Sequence, residues 1–298
     1  MKKTILIFLI AFSSITICNA QEWFTSFDVA KRLALVQDKM LLVMWQNTLD
    51  YQYPVRLIGE KGVSLIVDLN ENDEVNSLIW EHFVPLILLE EEYDKLYNEA
   101  KKNRSTWYLD KLKDDSIKIM DANGNILNIE PYDVQIENLT LLIKKYSLST
   151  SFLKHELNNY SKEQNVTTAF NLGSKYLDFS IYVQKNVRPE VIKLADIYFN
   201  EAKQYLDKSS LNNKVGFLQR LDFLDIEKEL ILNNPSKARR LLKRIDTAEI
   251  DSTNQALYNF LNYTTFKLLK KEDDAALFKD KLSAVDLKKA ELIVNSNR

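Results

Sequence analysis

The amino-acid sequence predicts an α/β domain followed by an all-α domain. In the first half of the chain, short apolar runs alternate with amphipathic segments, and the runs at 41–45 and 83–89 have the continuous hydrophobicity of strands buried on both faces of a sheet. In the second half, nearly every segment has the 3.6-residue periodicity of a helix, and no series of strands follows. The polar stretch 147–151 separates the two patterns, so we predict one domain over 21–147 and another over 148–298.

The elements of the first domain follow from periodicity and turn residues. Ser26 is placed to cap a first helix whose apolar residues include Phe27 and Ala30. Asn123 and Gly124 predict a hairpin turn, because this pair readily supplies the positive φ that such turns need. The pattern predicts helices at 26–37, 75–80, 90–104 and 134–146, and strands or extended segments at 41–45, 62–69, 83–89, 117–120 and 126–129.

The second domain reads as helices throughout. Pro189 and Pro235 lie just inside two helix starts, where the missing N–H costs nothing. With only 5 glycines and 5 prolines in 298 residues, the chain is a poor match to an all-β design with many tight turns. The predicted helices lie near 150–160, 165–183, 189–208, 212–233, 235–246, 252–270 and 272–294.

Residues 1–20 have the order of a secretory signal peptide. Two lysines precede an apolar run over 5–12, and small and polar residues then lead to Ala20, after which we predict cleavage. The alternative is lipid attachment at Cys18. It is disfavoured because Ile17 occupies the position before the cysteine, where a lipoprotein signal has a small residue. No later stretch is long and apolar enough to span a bilayer. We therefore predict an exported protein of a Gram-negative bacterium, in the periplasm or at the periplasmic face of the outer membrane.

Several kinds of chemistry are excluded by composition. Cys18 is the only cysteine, so the cleaved chain can form no disulfide and has no thiol nucleophile or cysteine metal ligand. His82 and His155 are the only histidines and lie far apart, and no glycine-rich phosphate loop is present. A formal net charge of -2 gives no basic field for nucleic acid. We therefore predict no catalytic residue, no metal and no cofactor.

Local motifs of residues 22–146 resemble secreted bacterial proteins of the thioredoxin-like family. Trp23 and Lys39 precede the apolar strand that ends at Trp45, the segment 82–85 matches the family's next strand, and 117–124 matches its late hairpin. The family would carry Cys-x-x-Cys just after the tryptophan and a cis-proline before the late strand, where this chain has 114–116, Asp-Asp-Ser. The resemblance implies a redox-inactive domain whose degenerate redox-site face comprises Trp45, Gln46, Asn47, Thr48, Leu49 and Asp115.

The second domain resembles tetratricopeptide-like helical hairpins. Leu172, Gly173 and Tyr176 match the motif of a first helix, and a small-aromatic-small pattern at 195–202 matches a second helix. A similar second-helix spacing at 238–245 follows about 43 residues later, whereas standard units repeat every 34 or so. The resemblance therefore implies an irregular array of hairpins, whose stacking makes a concave surface suited to protein ligands.

Two further surface features concern partners and modification. A basic helix carries Arg239, Arg240, Lys243 and Arg244, which suit an acidic protein partner or anionic lipid headgroups and leave peripheral membrane association open. Asp-Ser/Thr-apolar triplets at Ser116, Thr247 and Ser252 resemble O-glycan acceptors on exported proteins of some Gram-negative bacteria.

Taken together, these patterns predict a non-catalytic protein–protein interaction subunit or adaptor of a periplasmic or outer-membrane assembly. Two alternatives stay open from the residues alone. One is a thioredoxin-family oxidoreductase relative that assists a redox partner, and the other is a periplasmic holdase chaperone that binds unfolded chains on the helical groove.

Overall fold

The computed structural model describes residues 22–59, 62–130 and 136–297. The predicted signal peptide at 1–20, with Cys18, lies outside the described residues. The described chain has a mixed α/β architecture, in which two three-stranded sheets are accompanied and followed by many helices. Among these residues, no helix combines the length and apolarity needed to cross a bilayer.

Strands are confined to the first half of the described chain, and helices continue to its end. The strands are β1 (Met40–Trp45), β2 (Pro54–Ile58), β3 (Ser64–Asp68), β4 (Phe83–Leu88), β5 (Lys118–Met120) and β6 (Glu137–Asn138). The helices are α1 (Phe27–Gln37), α2 (Gln46–Leu49), α3 (Asp73–His82), α4 (Glu90–Asn103), α5 (Thr106–Lys113), α6 (Leu139–Tyr146), α7 (Lys154–Lys162), α8 (Val166–Phe179), α9 (Arg188–Leu206), α10 (Lys214–Ile231), α11 (Pro235–Leu242), α12 (Gln255–Leu268), α13 (Glu272–Lys279) and α14 (Ala284–Ser296).

The first sheet forms the centre of the first half. Its order is β4-β1-β5, with β1 parallel to β4 and antiparallel to β5. Phe24 forms a parallel bridge with Leu86 on the outer side of β4, and Ile126 forms an antiparallel bridge with Met120 on the outer side of β5. Residues 40–44 are completely buried, which explains why β1 is apolar at every position instead of alternating.

The second sheet has the order β3-β2-β6, with β2 antiparallel to β3 and parallel to β6. Neither strand β2 nor strand β6 is predicted from the sequence. Strand β2 is short and mostly accessible, and β6, whose two residues are half-buried, falls within the predicted helix 134–146, which begins only at Leu139. At its outer edge the aliphatic side chains of Val63, Leu65 and Ile66 are 58%, 56% and 59% exposed. In the described part of the chain, β3 pairs only with β2, so its other edge carries no partner strand.

The predicted strand at 126–129 is only a single bridge at Ile126. The reason lies in the Asn128 side chain, whose Oδ1 accepts from the Ile119 N–H at 2.8 Å and whose Nδ2 donates to the Ile117 carbonyl at 2.9 Å. The Leu127 N–H still donates to the Ile119 carbonyl oxygen at 2.7 Å, but beyond it the side-chain amide makes the hydrogen bonds that the backbone of a second strand would make. The hydrophobic pattern of residues 126–129 cannot by itself distinguish this side-chain pairing from a paired strand.

The predicted helix over 272–294 is two helices, α13 and α14. The first ends at Lys279, and Ser283 starts the second through a capping box with Asp286, in which Ser283 Oγ accepts from the Asp286 N–H at 3.1 Å. The carboxylate of Asp286 in turn accepts from the Ser283 N–H at 3.3 Å and from the Ser283 hydroxyl at 2.7 Å. This reciprocal pairing satisfies amides that have no partner within a helix, so the break is favoured locally.

Helices α8 and α9 approach closely where a residue has no side chain. A Cβ built on Gly173 would lie 2.8 Å from Cδ1 of the Phe199 ring and 3.2 Å from the Ala195 carbonyl oxygen. Because the facing atoms belong to a buried ring and a helix backbone, they have little room to move aside. Gly173 therefore sets the spacing of this helix pair.

Replacing Gly173 by alanine is expected to destabilise the protein by about 1–3 kcal/mol, because overpacking outweighs the gain of up to about 1 kcal/mol that alanine gives inside a helix. Urea unfolding followed by far-UV circular dichroism measures the change. The double variant Gly173→Ala/Phe199→Leu removes the ring that the new methyl meets, so the alanine should cost less in that background. A stabilised single variant would refute the close-packing argument.

Candidate functional site

The predicted degenerate redox-site face is assembled at the end of β1. The one-turn helix α2 follows Trp45 directly and contains Gln46, Asn47, Thr48 and Leu49. The Thr48 hydroxyl donates to Asp115 Oδ1 at 3.2 Å, which joins α2 to the loop before β5. The structure thus brings the two predicted segments together across 67 residues of sequence. Gln46, Asn47 and Asp115 are exposed, whereas Thr48 and Leu49 are half-buried.

Trp45, at the end of β1, packs against α4 and α5 beside this face. Its Nε1 donates to the Leu112 carbonyl oxygen at 3.2 Å, and its ring lies against the Tyr93 ring with centroids 3.5 Å apart. The tryptophan is half-buried and both its polar and its apolar atoms have partners. It therefore holds α4 and α5 beside the end of β1.

The loop at 114–116 is fixed by two lysines. Lys111 donates to the Ser116 hydroxyl, which itself donates to Asp114 Oδ1 at 2.6 Å. Lys118 Nζ donates to the Ser116 carbonyl oxygen at 2.9 Å and lies 3.2 Å from Asp114 Oδ1. Burial of Lys118 lowers its pKa to about 8, even though Asp114 favours the charged form. The buried Lys118 side chain therefore supports the 114–116 loop, which contacts α2 through Asp115.

Replacing Lys118 by methionine is expected to abolish a pH dependence of stability between about pH 8 and pH 10.4. Because burial lowers the pKa of Lys118 to about 8 in the folded chain, the unfolded chain binds more protons over this interval, so the free energy of unfolding rises with pH. The wild type should gain about 2–3 kcal/mol relative to the variant across it. Urea titrations at matched pH values measure the difference, and parallel curves for the two proteins would contradict the shifted pKa.

The predicted basic surface lies on α11 and the turn after it. Arg240, Lys243 and Arg244 are exposed, while Arg239 is half-buried with its guanidinium 5.9 Å from the Phe266 ring centroid. None of the four takes part in the ion pairs found among the described residues. With Ser236 they line a shallow depression of about 390 Å³. The four charges therefore share one surface, as the helical spacing predicts.

The three predicted glycan acceptors differ in accessibility. Thr247 and Ser252 each begin a short 3₁₀ turn and are exposed. Ser116 is half-buried, and its hydroxyl is bonded to Lys111 and Asp114.

A buried polar network joins the first half to the helical half. Asp121 is completely buried and accepts hydrogen bonds from the hydroxyls of Tyr176, at 3.0 Å, and Tyr198. It also accepts from the backbone N–H groups of Asn123 and Asn125, both at 2.9 Å. Burial raises the pKa of Asp121, although these donors favour its carboxylate form. The predicted Asp-Ala-Asn-Gly turn is therefore also the attachment point of α8 and α9.

The network continues through Arg104 toward the surface. The Arg104 guanidinium donates to Asn125 Oδ1 at 2.8 Å and forms an ion pair with Glu201. Tyr160 donates to the second oxygen of Glu201. The tyrosines at 160, 176 and 198 were the available sequence signal, because buried tyrosines usually require a hydrogen-bond partner. The partner that Tyr176 and Tyr198 share, Asp121, could not be inferred because it belongs to the other half of the chain, and Glu201, the partner of Tyr160, lies 41 residues away.

Two cavities lie between the two halves of the described chain, and sequence reasoning did not find either. One of about 590 Å³ lies between α5 and α9 and is lined by Arg104, Trp107 and Lys193. The other, of about 510 Å³, lies between β6, α6 and the start of α9 and is lined by Glu137, Tyr146 and Glu190. Both walls combine residues from the two halves, so neither cavity leaves a local motif in the sequence.

Within the described ranges, no group of three or more His, Cys, Asp and Glu side chains has a geometry able to hold a metal ion. Comparison of the chain with protein-family models, with curated proteins and with solved structures gives no match.

Proposed function

We propose that the protein is a non-catalytic interaction protein exported to the bacterial cell envelope, built from a redox-inactive thioredoxin-like domain and a tetratricopeptide-like helical domain. The observation that carries this proposal is the position directly after Trp45. There a Cys-x-x-Cys would stand at the start of α2, and the chain instead has Gln46, Asn47, Thr48 and Leu49. Disulfide exchange needs a thiolate, and no other residue type supplies one.

The arrangement of the first sheet supports the thioredoxin-like part. From edge to edge the order is Phe24, β4, β1, β5 and Ile126, with parallel pairing on the β4 side and antiparallel pairing on the β5 side. This is the order expected of a thioredoxin-like sheet, and it places α2 and the 114–116 loop side by side. The second sheet, β3-β2-β6, is an addition to that plan.

The packing of α8 against α9 supports the tetratricopeptide-like part. The first-helix motif residues Gly173 and Tyr176 face the second-helix residues Ala195 and Phe199 and the adjacent Tyr198. The Tyr176 and Tyr198 rings stack with centroids 5.5 Å apart. Further pairs follow along the chain, with α10 packing on α11 and α12, and α12 packing on α13 and α14.

The test of the inactive-redox proposal restores the missing pair. Gln46 and Leu49 occupy the first and fourth positions of α2, the spacing of Cys-x-x-Cys. Insulin reduction by the chain without residues 1–20 should show no thiol-dependent turnover for the wild type. The variant Gln46→Cys/Leu49→Cys should form a reversible disulfide between its two new cysteines, whereas Gln46→Ser/Leu49→Ser should behave like the wild type. Turnover by the wild type would refute the proposal, and two cysteines that cannot be bridged would refute the thioredoxin-like geometry.

The interaction role is tested by cross-linking and affinity capture from solubilised envelopes of the source bacterium. A defined partner recovered in fixed proportion supports an adaptor or subunit. Recovery of the monomer alone would refute it. Suppression of the aggregation of unfolded proteins at substoichiometric amounts, without a defined partner, would favour the holdase alternative instead.

A further inference from the structure

The cavity between β6, α6 and α9 is lined by more glutamates than lysines among the described residues. We call it the glutamate cavity and define it by Tyr53, Glu130, Glu137, Lys145, Tyr146 and Glu190. Its volume of about 510 Å³ falls within the range of small-ligand sites. Neither the degenerate redox-site face nor the basic surface includes these residues.

Glu190 is the most unusual member of the wall. Its side chain is only 2% exposed, and a single oxygen, Oε1, receives both hydrogen bonds, from Lys145 at 2.8 Å and from the Tyr146 hydroxyl at 3.0 Å. The other oxygen, Oε2, is buried and has no hydrogen-bond partner among the described residues. Leaving a buried carboxylate oxygen without a donor is costly, so Glu190 is incompletely compensated and adds negative potential to the wall.

Two more carboxylates add to the negative potential of the cavity. Glu137 is half-buried and forms no ion pair within the described part of the chain, while Glu130 is half-exposed and pairs with Lys193. Burial raises the pKa values of both Glu137 and Glu190, as expected for carboxylates with incomplete compensation.

The two cations on the wall are already committed. Lys145 is paired with Glu190, and Lys111 is paired with Asp114 and bonded to Ser116. Among the described residues that line the cavity, three are glutamates and two are lysines, while Lys193 pairs with Glu130 from outside this lining.

A metal ion is a poor fit to this charge, because no group of acidic side chains in the described ranges has metal-binding geometry. The remaining wall includes Pro54, Leu141 and Pro189, which suit a short aliphatic stem, and the hydroxyls of Tyr53 and Tyr146, which can accept hydrogen bonds. We propose that the glutamate cavity binds a primary ammonium group carried on a short aliphatic chain. The ammonium belongs either to a free alkyl amine or to a lysine side chain of a polypeptide.

Isothermal titration calorimetry on the folded wild-type chain tests this proposal with three probes. Cadaverine represents a free amine, Nα-acetyl-lysine-N′-methylamide represents a lysine within a polypeptide, and 1-pentanol is a neutral control of similar length. We expect at least one of the two ammonium probes to bind and 1-pentanol to give no heat of binding. Preference for cadaverine assigns the free amine, and preference for the lysine derivative assigns a peptide source.

Glu137→Gln and Glu190→Gln should each weaken binding of the ammonium probe by roughly tenfold or more, because each removes a charged acceptor. Glu272→Gln, an exposed change on α13 with the same effect on net charge, should leave binding unchanged. Glu137 is only half-buried, so its variant keeps the test valid if Glu190→Gln folds poorly. The proposal is overturned if neither ammonium probe binds, if 1-pentanol binds as well, or if Glu137→Gln binds with wild-type affinity.

Discussion

Replacing Lys289 by methionine is expected to lower the free energy of unfolding by about 3–5 kcal/mol, the effect of breaking a buried ion pair from one side. Lys289 Nζ, on α14, lies 2.6 Å from Glu227 Oε1 on α10 and 2.6 Å from Asp178 Oδ1 on α8. The Glu227 side chain is 0% exposed, and burial raises its pKa against the influence of Lys289. Without the lysine, a buried carboxylate loses the cation that touches it.

Two comparisons isolate the ion pair in urea unfolding experiments at pH 7. Glu227→Gln/Lys289→Met removes both charges, so it should recover much of the loss caused by Lys289→Met alone. Lys271→Met removes an exposed lysine that lies 3.8 Å from Asp274, and it should change stability by less than about 1 kcal/mol. A Lys289→Met protein as stable as the Lys271→Met protein would show that the buried pair contributes little.

Replacing Asp121 by alanine is expected to destabilise the protein by about 4 kcal/mol, since two tyrosine hydroxyls and two backbone amides lose a buried acceptor. Asp121→Asn is the matched control, because it keeps one carbonyl oxygen for the backbone amides and an amide group that can donate to the tyrosines. The asparagine variant should therefore lose less than the alanine variant.

The variant Asp121→Ala is also expected to weaken the coupling between the unfolding of the two halves of the chain. All four tryptophans, Trp23, Trp45, Trp80 and Trp107, lie in the first half, whereas most helical residues lie in the second. Tryptophan fluorescence and far-UV circular dichroism should therefore give coincident unfolding curves for the wild type and separated curves for Asp121→Ala. Coincident curves in the variant, together with a loss below about 1 kcal/mol, would refute a coupling role for Asp121.

Elements with strong periodicity or unbroken hydrophobicity were predictable from the sequence, and elements defined by particular hydrogen bonds were not. The apolar runs gave β1 and β4 directly, because burial on both faces demands apolar residues throughout. The Asn128 amide, which replaces strand hydrogen bonds, and the Ser283 capping box, which divides α13 from α14, both act through single side chains. Neither changes the hydrophobic pattern, so neither could be recognised from it.

The candidate sites also differ in how far they can be predicted from the sequence. The meeting of Thr48 with Asp115 follows from strand order, so it was predictable once β1 and β5 were placed. The glutamate cavity was not predictable, because Glu137 and Glu190 are separated by 53 residues and are brought together only when the helical half packs on the first half. Burial of a charged residue depends on such long-range packing, and a single sequence does not report it.

The outer edge of β3 bears on how the purified protein behaves at high concentration. Among the described residues, the amide and carbonyl groups on this edge have no partner strand, and they run beside the aliphatic side chains of Val63, Leu65 and Ile66, which are more than half exposed. Such an edge is a template on which another molecule can lay down a strand. In concentrated solutions the protein should therefore self-associate through the β2–β3 pair sooner than through its charged helical surfaces. Dilute samples are best suited to spectroscopy.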